Sequence, residues 1–220
     1  MAHPIFLRAI RLITRVLSSS TRWANQTCLR LALRTSGVAG APAIRSFTLP
    51  YELGALYDLG RHCPPGAAAL EIGSYLGASA CYIAAGLREV GGRLYCVDTW
   101  QNETMPDGIR DTLAEFKQNT RGVEDLLCLV RKRSDELTTT DIPDKLDLIF
   151  IDGDHSYEAV KADFLHVTPW LTENGIVAFH DHLFWRSVTQ FIGEALASGA
   201  WVVAAQSGDL LCLKRSRFAR

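Results

Sequence analysis

Beyond residue 66 the chain alternates short apolar runs with stretches of helical composition, and this order limits its fold more than any other feature. Residues 67–73, 93–97, 126–130, 146–151 and 176–179 are brief and apolar and read as buried strands. Between them, residues 77–90 have helical composition and stop at Gly91 and Gly92. Residues 107–120 carry Ile109, Leu113 and Phe116 at helical spacing. Residues 157–171 predict a helix ending near Pro169 or at an Asn174–Gly175 turn, and 185–197 predict another. The runs 200–205 and 210–213, separated by Gln206–Asp209, read as a closing hairpin. Strands alternating with helices imply an α/β fold with a parallel sheet covered on both faces. The expectation is a Rossmann-like, mostly parallel seven-stranded sheet with a C-terminal antiparallel hairpin over residues 51–220, preceded by a helical arm at 1–50.

In open α/β sheets, ligands gather at the C-terminal ends of the strands. The first such end is EIGSYLGAS, residues 71–79, where Gly73 and Gly77 permit a tight turn. A dinucleotide fold needs a glycine where this chain has Tyr75, because the pyrophosphate must touch backbone there. NAD and FAD are therefore disfavoured, whereas S-adenosylmethionine (SAM), which carries no phosphate, tolerates the tyrosine. Asp98 closes the second strand and is placed to accept the ribose hydroxyl hydrogens. Glu71 is placed to approach the charged methionine end. Gly73, Ser74, Tyr75, Gly77 and Ser79 complete the candidate cofactor loop, with Ser134 near the adenine and Asp152 bordering the same crevice.

Asp152, Asp154 and His155 follow the fourth strand, and His180, Asp181 and His182 follow the fifth, so six ionisable groups meet at the rim of that crevice. A hard cation would hold such acids together without repulsion; otherwise Asp152 and Asp181 cap helices and His180 is a hydrogen-bonded core residue. Oxygen donors suit Mg²⁺ or Ca²⁺, and an imidazole shifts preference toward Mn²⁺, Fe²⁺ or Zn²⁺. Trp100, Tyr157 and Trp185 lie near strand ends, as acceptor-pocket or packing aromatics.

The loop EIGSYLGAS resembles the first motif of catechol-type O-methyltransferases, a metal-assisted class I group. DLIFIDGDHSYEAVKADF (147–164) and GIVAFHD (175–181) resemble small bacterial methyltransferases related to the macrocin- and cephalosporin-biosynthesis enzymes. The resemblance spans residues 51–214 and implies SAM as cofactor and a small-molecule acceptor, a sugar or other natural product. It implies that Asp152, His180 and Asp181 are metal ligands for Mg²⁺ or Mn²⁺, with His180 replacing the usual acid. His155 falls where the catechol-type enzymes keep a catalytic lysine. A hydroxyl is a poor nucleophile near neutrality and needs a base or a metal on its oxygen, so His155 is the candidate base and Asp154 its competitor. A metal-independent N-methyltransferase and a non-catalytic SAM-binding scaffold remain alternatives.

Residues 1–51 contain seven arginines and no acid, although the whole chain has a net charge of −1. That balance gives no reason to expect a nucleic-acid partner. Phe6, Ile10, Ile13 and Leu17 mark residues 4–17 as an amphipathic helix with arginines on another face. It suits packing on the catalytic domain or a second subunit, contact with an anionic membrane surface, or organelle targeting. The six cysteines form no metal-binding spacing and read as reduced core residues, which points to the cytoplasm. A homodimer is the default assembly.

Overall fold

The computed structural model describes residues 25–103 and 107–217; the amphipathic stretch at 4–17 lies outside them. The strands are β1 (Ala68–Ile72), β2 (Arg93–Asp98), β3 (Leu127–Arg131), β4 (Leu146–Ile151), β5 (Leu171–Phe179), β6 (Trp201–Ser207) and β7 (Leu210–Arg215). They form one sheet in the order β3-β2-β1-β4-β5-β7-β6. β1 to β5 run parallel, and β7 inserts antiparallel between β5 and β6. The expected mostly parallel seven-stranded sheet with its closing antiparallel hairpin is thus present.

Helices α1 (residues 25–35), α2 (Pro50–Arg61) and α3 (Ala78–Val90) precede α4 (Leu113–Asn119), α5 (Tyr157–Val167) and α6 (Arg186–Ala197). The central strands are apolar on both sides because both sides are covered. Ala69, Leu148 and Phe150 join one core with α2 and α3, while Leu70, Ile149 and Ile151 join the other with α5 and α6. Leu33, Val38 and Ala41, from the segment before α2, are buried in the first core. Each fully buried large side chain contributes roughly 1.5–3 kcal/mol.

The structure adds one helix that was not foreseen and corrects two expectations. Residues 50–61 are helical although nothing in the pattern marked them, and their glycine explains why. A Cβ on Gly60 would lie 2.7 Å from Ile83 O, and one on Gly86 would lie 2.3 Å from Tyr57 O, so α2 and α3 cross backbone to backbone. The helix expected at 107–120 begins only at Leu113, because Asp107 accepts hydrogen bonds from Asn102, Tyr75, Arg45 and Arg110 and holds a loop. β5 begins at Leu171, and residues 172–175 form an irregularity opposite Asp147, whose carboxylate accepts from Thr172 Oγ1 and Ala68 N. No helix among the described residues is long and apolar enough to cross a membrane.

Candidate active site

The strand order reverses beside β1, so the C-terminal ends of β1, β2, β4 and β5 open on one crevice. Backbone bonds carry the ladder past the strand ends: Gly73 N donates to Val97 O, Asp152 N to Ile72 O and His180 N to Ile151 O. The three segments are thereby drawn together where a ligand would sit.

Gly73 has φ +86°, and a Cβ there would lie 2.1 Å from Asp152 O, so only glycine fits between β1 and β4. Tyr75 also adopts a left-handed φ of 44°. Its strain is held by Asp98, whose Oδ2 accepts from Ser74 N at 2.8 Å and Tyr75 N at 2.9 Å. Asp98 Oδ1 accepts from Trp100 N at 2.6 Å. With roughly four acceptor positions on a carboxylate, about one remains for a ligand hydroxyl. Gly77, at φ +88°, caps α3 against Thr120 and Phe116, and Ser79 is buried in its first turn. Glu71 is fully buried: Oε2 accepts from Ser74 Oγ at 2.6 Å, and Oε1 has no partner. Burial pushes its carboxyl up to about 7, against the opposing pull of Ser74 and Ser79. Ser134 begins a single 3₁₀ turn after β3 and bonds the buried Asp163, whose carboxyl burial raises to about 6.

At the neighbouring strand ends, Asp152, His155 and Asp181 offer ligand atoms that all lie within 4.8 Å of one another. His155 Nε2 is 3.1 Å from Asp181 Oδ2 and 3.6 Å from Asp152 Oδ1, yet it is buried without a hydrogen bond to either. His180 is not in this group. It lies behind it, with Nδ1 3.4 Å from Asp152 Oδ1 and 3.3 Å from Asp181 Oδ1, and with Nε2 3.2 Å from Glu52 Oε2. Burial opposes charge on both rings, but Asp152 and Asp181 overcome it and raise His155 to about 9 and His180 to about 11. Asp181, despite its burial, is held well below the usual carboxylate range by the two histidines. Asp181 also adopts a left-handed φ of 57°.

Trp185 stacks on His155 with ring centroids 5.6 Å apart and planes 4° from parallel. Leu183 and Phe184 are exposed beside it. Trp100 is instead fully buried against Phe116, and Tyr157 donates to Glu194 at 2.6 Å. Asp154 is exposed and accepts from Ser156 N at 2.8 Å, opening α5. His182 is buried and bonds Asp209 O at 3.0 Å. The residue that sequence reasoning missed is Glu52. Its only sequence signal is an acid at the third position of a helix opened by Pro50, which says nothing of burial.

The methyltransferase-domain family matches residues 70–182, more than half of the 220 residues. Uncharacterized protein y4gI of Sinorhizobium fredii is 33% identical over 122 residues, which is 51% of this chain but only 13% of that protein. Among solved structures, SAH-bound methyltransferase PaMTH1 of Podospora anserina is 16% identical with a TM-score of 0.62, over 90% of this chain and 96% of its own. The TDP-rhamnose 3'-O-methyltransferase CalS11 of calicheamicin biosynthesis is 23% identical with a TM-score of 0.54, over 76% of this chain and 81% of its own. At these identities the structural likeness speaks for the fold, and the matched family carries the activity. The strand order and the matched span agree, and the chain belongs to the methyltransferase-domain family of class I SAM-dependent methyltransferases.

Proposed function

We propose that this enzyme transfers the SAM methyl group to a hydroxyl of a small molecule, a sugar or other natural product, with a divalent cation held by Asp152, His155 and Asp181. The observation that carries the reading is His155 Nε2, buried, without a hydrogen bond, and facing two carboxylates at 3.1 and 3.6 Å. Such an atom fits a ligand whose partner is an ion. Two carboxylates with one imidazole suit Mn²⁺ or Mg²⁺. A bound divalent cation would supply Lewis acidity that lowers the pKa of an acceptor hydroxyl.

The chain's own residues do the rest. Glu71 presents its unpartnered Oε1 to the cofactor's ammonium group, and Asp98 orders the 73–75 turn while keeping an acceptor for a ribose hydroxyl. Gly73, Tyr75, Gly77 and Ser79 shape the loop around the methionine end, and Ser134 borders the adenine. The cation ligands stand on the strand ends next to the cofactor loop, where a bound cation would hold an acceptor oxygen near the methyl donor. His180 orients Asp152 and Asp181 from behind rather than serving as a ligand, which revises the ligand set suggested by motif alone. His155, with its Nε2 turned to the cation, is not free to take the acceptor's proton, so that role falls to exposed Asp154. Leu183, Phe184 and Trp185 give the acceptor an apolar wall.

The test is formation of demethylated cofactor (SAH) from SAM with a panel of sugar and phenolic hydroxyl acceptors, before and after chelation. Loss of turnover with EDTA and recovery with Mn²⁺ or Mg²⁺ supports the reading; undiminished turnover in EDTA refutes the assisted mechanism.

A further inference from the structure

Glu52 sits in the first turn of α2 and is 1% exposed, a rare position for a carboxylate without a task. Closing the helix start accounts for part of it, since Oε2 accepts from Leu49 N at 2.8 Å. The same oxygen lies 3.2 Å from His180 Nε2, and Oε1 accepts from Asp209 N at 2.7 Å. Asp209 in turn accepts the Leu183 N–H, in the loop that carries Trp185 onto the His155 ring. One carboxylate thus reaches both histidines that face Asp152 and Asp181, His180 directly and His155 through the hairpin tip. The approach at the tip is close, because a Cβ on Gly208 would meet Glu52 Oε1 at 2.5 Å.

We propose that Glu52 is a positioning residue for the Asp152–His155–Asp181 centre. It accepts the Nε2 proton of His180 and fixes the ring, so that Nδ1 stays on the two carboxylates and holds their oxygens toward His155. An outer carboxylate–histidine pair of this kind orients groups it does not itself join. The proposal rests on the cation-binding reading above, and the experiment separates the two.

In wild-type protein, ¹⁵N spectra of the histidine side chains should show His180 Nε2 protonated and hydrogen-bonded; an unprotonated Nε2 overturns the proposal whatever any variant does. In Glu52→Gln, Mn²⁺ affinity measured by calorimetry should fall about tenfold or more, the range seen when outer partners of ligands are removed. SAH affinity should change by less than about twofold, because the cofactor loop does not touch Glu52. The His180 ¹⁵N shifts should move in the same variant. A folded Glu52→Gln protein that binds SAH, with unchanged Mn²⁺ affinity and unchanged His180 shifts, refutes the proposal and leaves Glu52 a helix-capping residue. If wild-type protein binds no Mn²⁺, the cation reading fails, and the ¹⁵N shifts alone then decide for or against Glu52.

Discussion

Replacing Glu71 by Gln should change the pH dependence of stability and the grip on the cofactor in opposite senses. Burial holds this carboxyl at about 7, where an unfolded glutamate titrates near 4.5. An acid whose folded pKa is raised binds its proton more tightly folded than unfolded. This group's contribution to stability is therefore greatest below pH 4.5, declines as pH rises to about 7, and is level above. The interval corresponds to a loss of about 3 kcal/mol at pH 8, or about 10 °C in melting temperature at this chain length. Gln carries no charge, so this component of the decline should vanish in Glu71→Gln. An amide left unpaired where Oε1 now stands would lower the variant equally at every pH, so the slope is the diagnostic. The same variant loses the charge that would meet the cofactor's ammonium group. A charge-assisted hydrogen bond of about 1.5–3 kcal/mol corresponds to SAH binding weaker by about 10- to 100-fold. Melting measured from pH 5 to 8, with SAH calorimetry at pH 8, tests both. Parallel pH profiles for wild type and variant, or unchanged SAH affinity, would refute the reasoning.

Gly77→Ala should cost about 2–4 kcal/mol in urea unfolding, from a left-handed backbone and from overpacking. Its Cβ would lie 2.5 Å from Thr120 Cγ2. Gly91→Ala, also at positive φ but with nothing within 4 Å, should cost only about 1–2 kcal/mol, and equal losses would contradict the steric argument. Phe116→Ala removes a fully buried ring packed on Trp100 and should lose about 3–5 kcal/mol by the same assay. Trp185→Ala should lower kcat while leaving SAH affinity unchanged, since the indole touches His155 and not the cofactor loop. Weakened SAH binding in that variant would place Trp185 elsewhere in the mechanism.

Much of the sheet was legible because its strands are short, apolar and punctuated, with β4 occurring at the residues expected, 146–151. Residues 50–61 were not, because Gly54 and Gly60 read against a helix, while a tertiary crossing requires glycine at position 60. The loop at 107–112 escaped notice because Asp107 is a hub for partners as distant as Arg45, and periodicity cannot register such pairs. In the site, Asp152, His155, His180 and Asp181 stood out from chemistry and strand context, with His180 rather than His155 read as the third ligand. The relation between the two histidines did not, since motif position says that each lies near the acids but not which ring faces them. Glu52 was invisible for a similar reason: its partners are 128 and 157 residues away.

The most direct test of this account is a crystal grown with SAH and soaked with Mn²⁺, measured for anomalous scattering. The account predicts one peak among Asp152, His155 Nε2 and Asp181, with His180 still turned toward Glu52. A peak ligated by His180 Nδ1 in place of His155, or none at any Mn²⁺ concentration that the crystal tolerates, would contradict it.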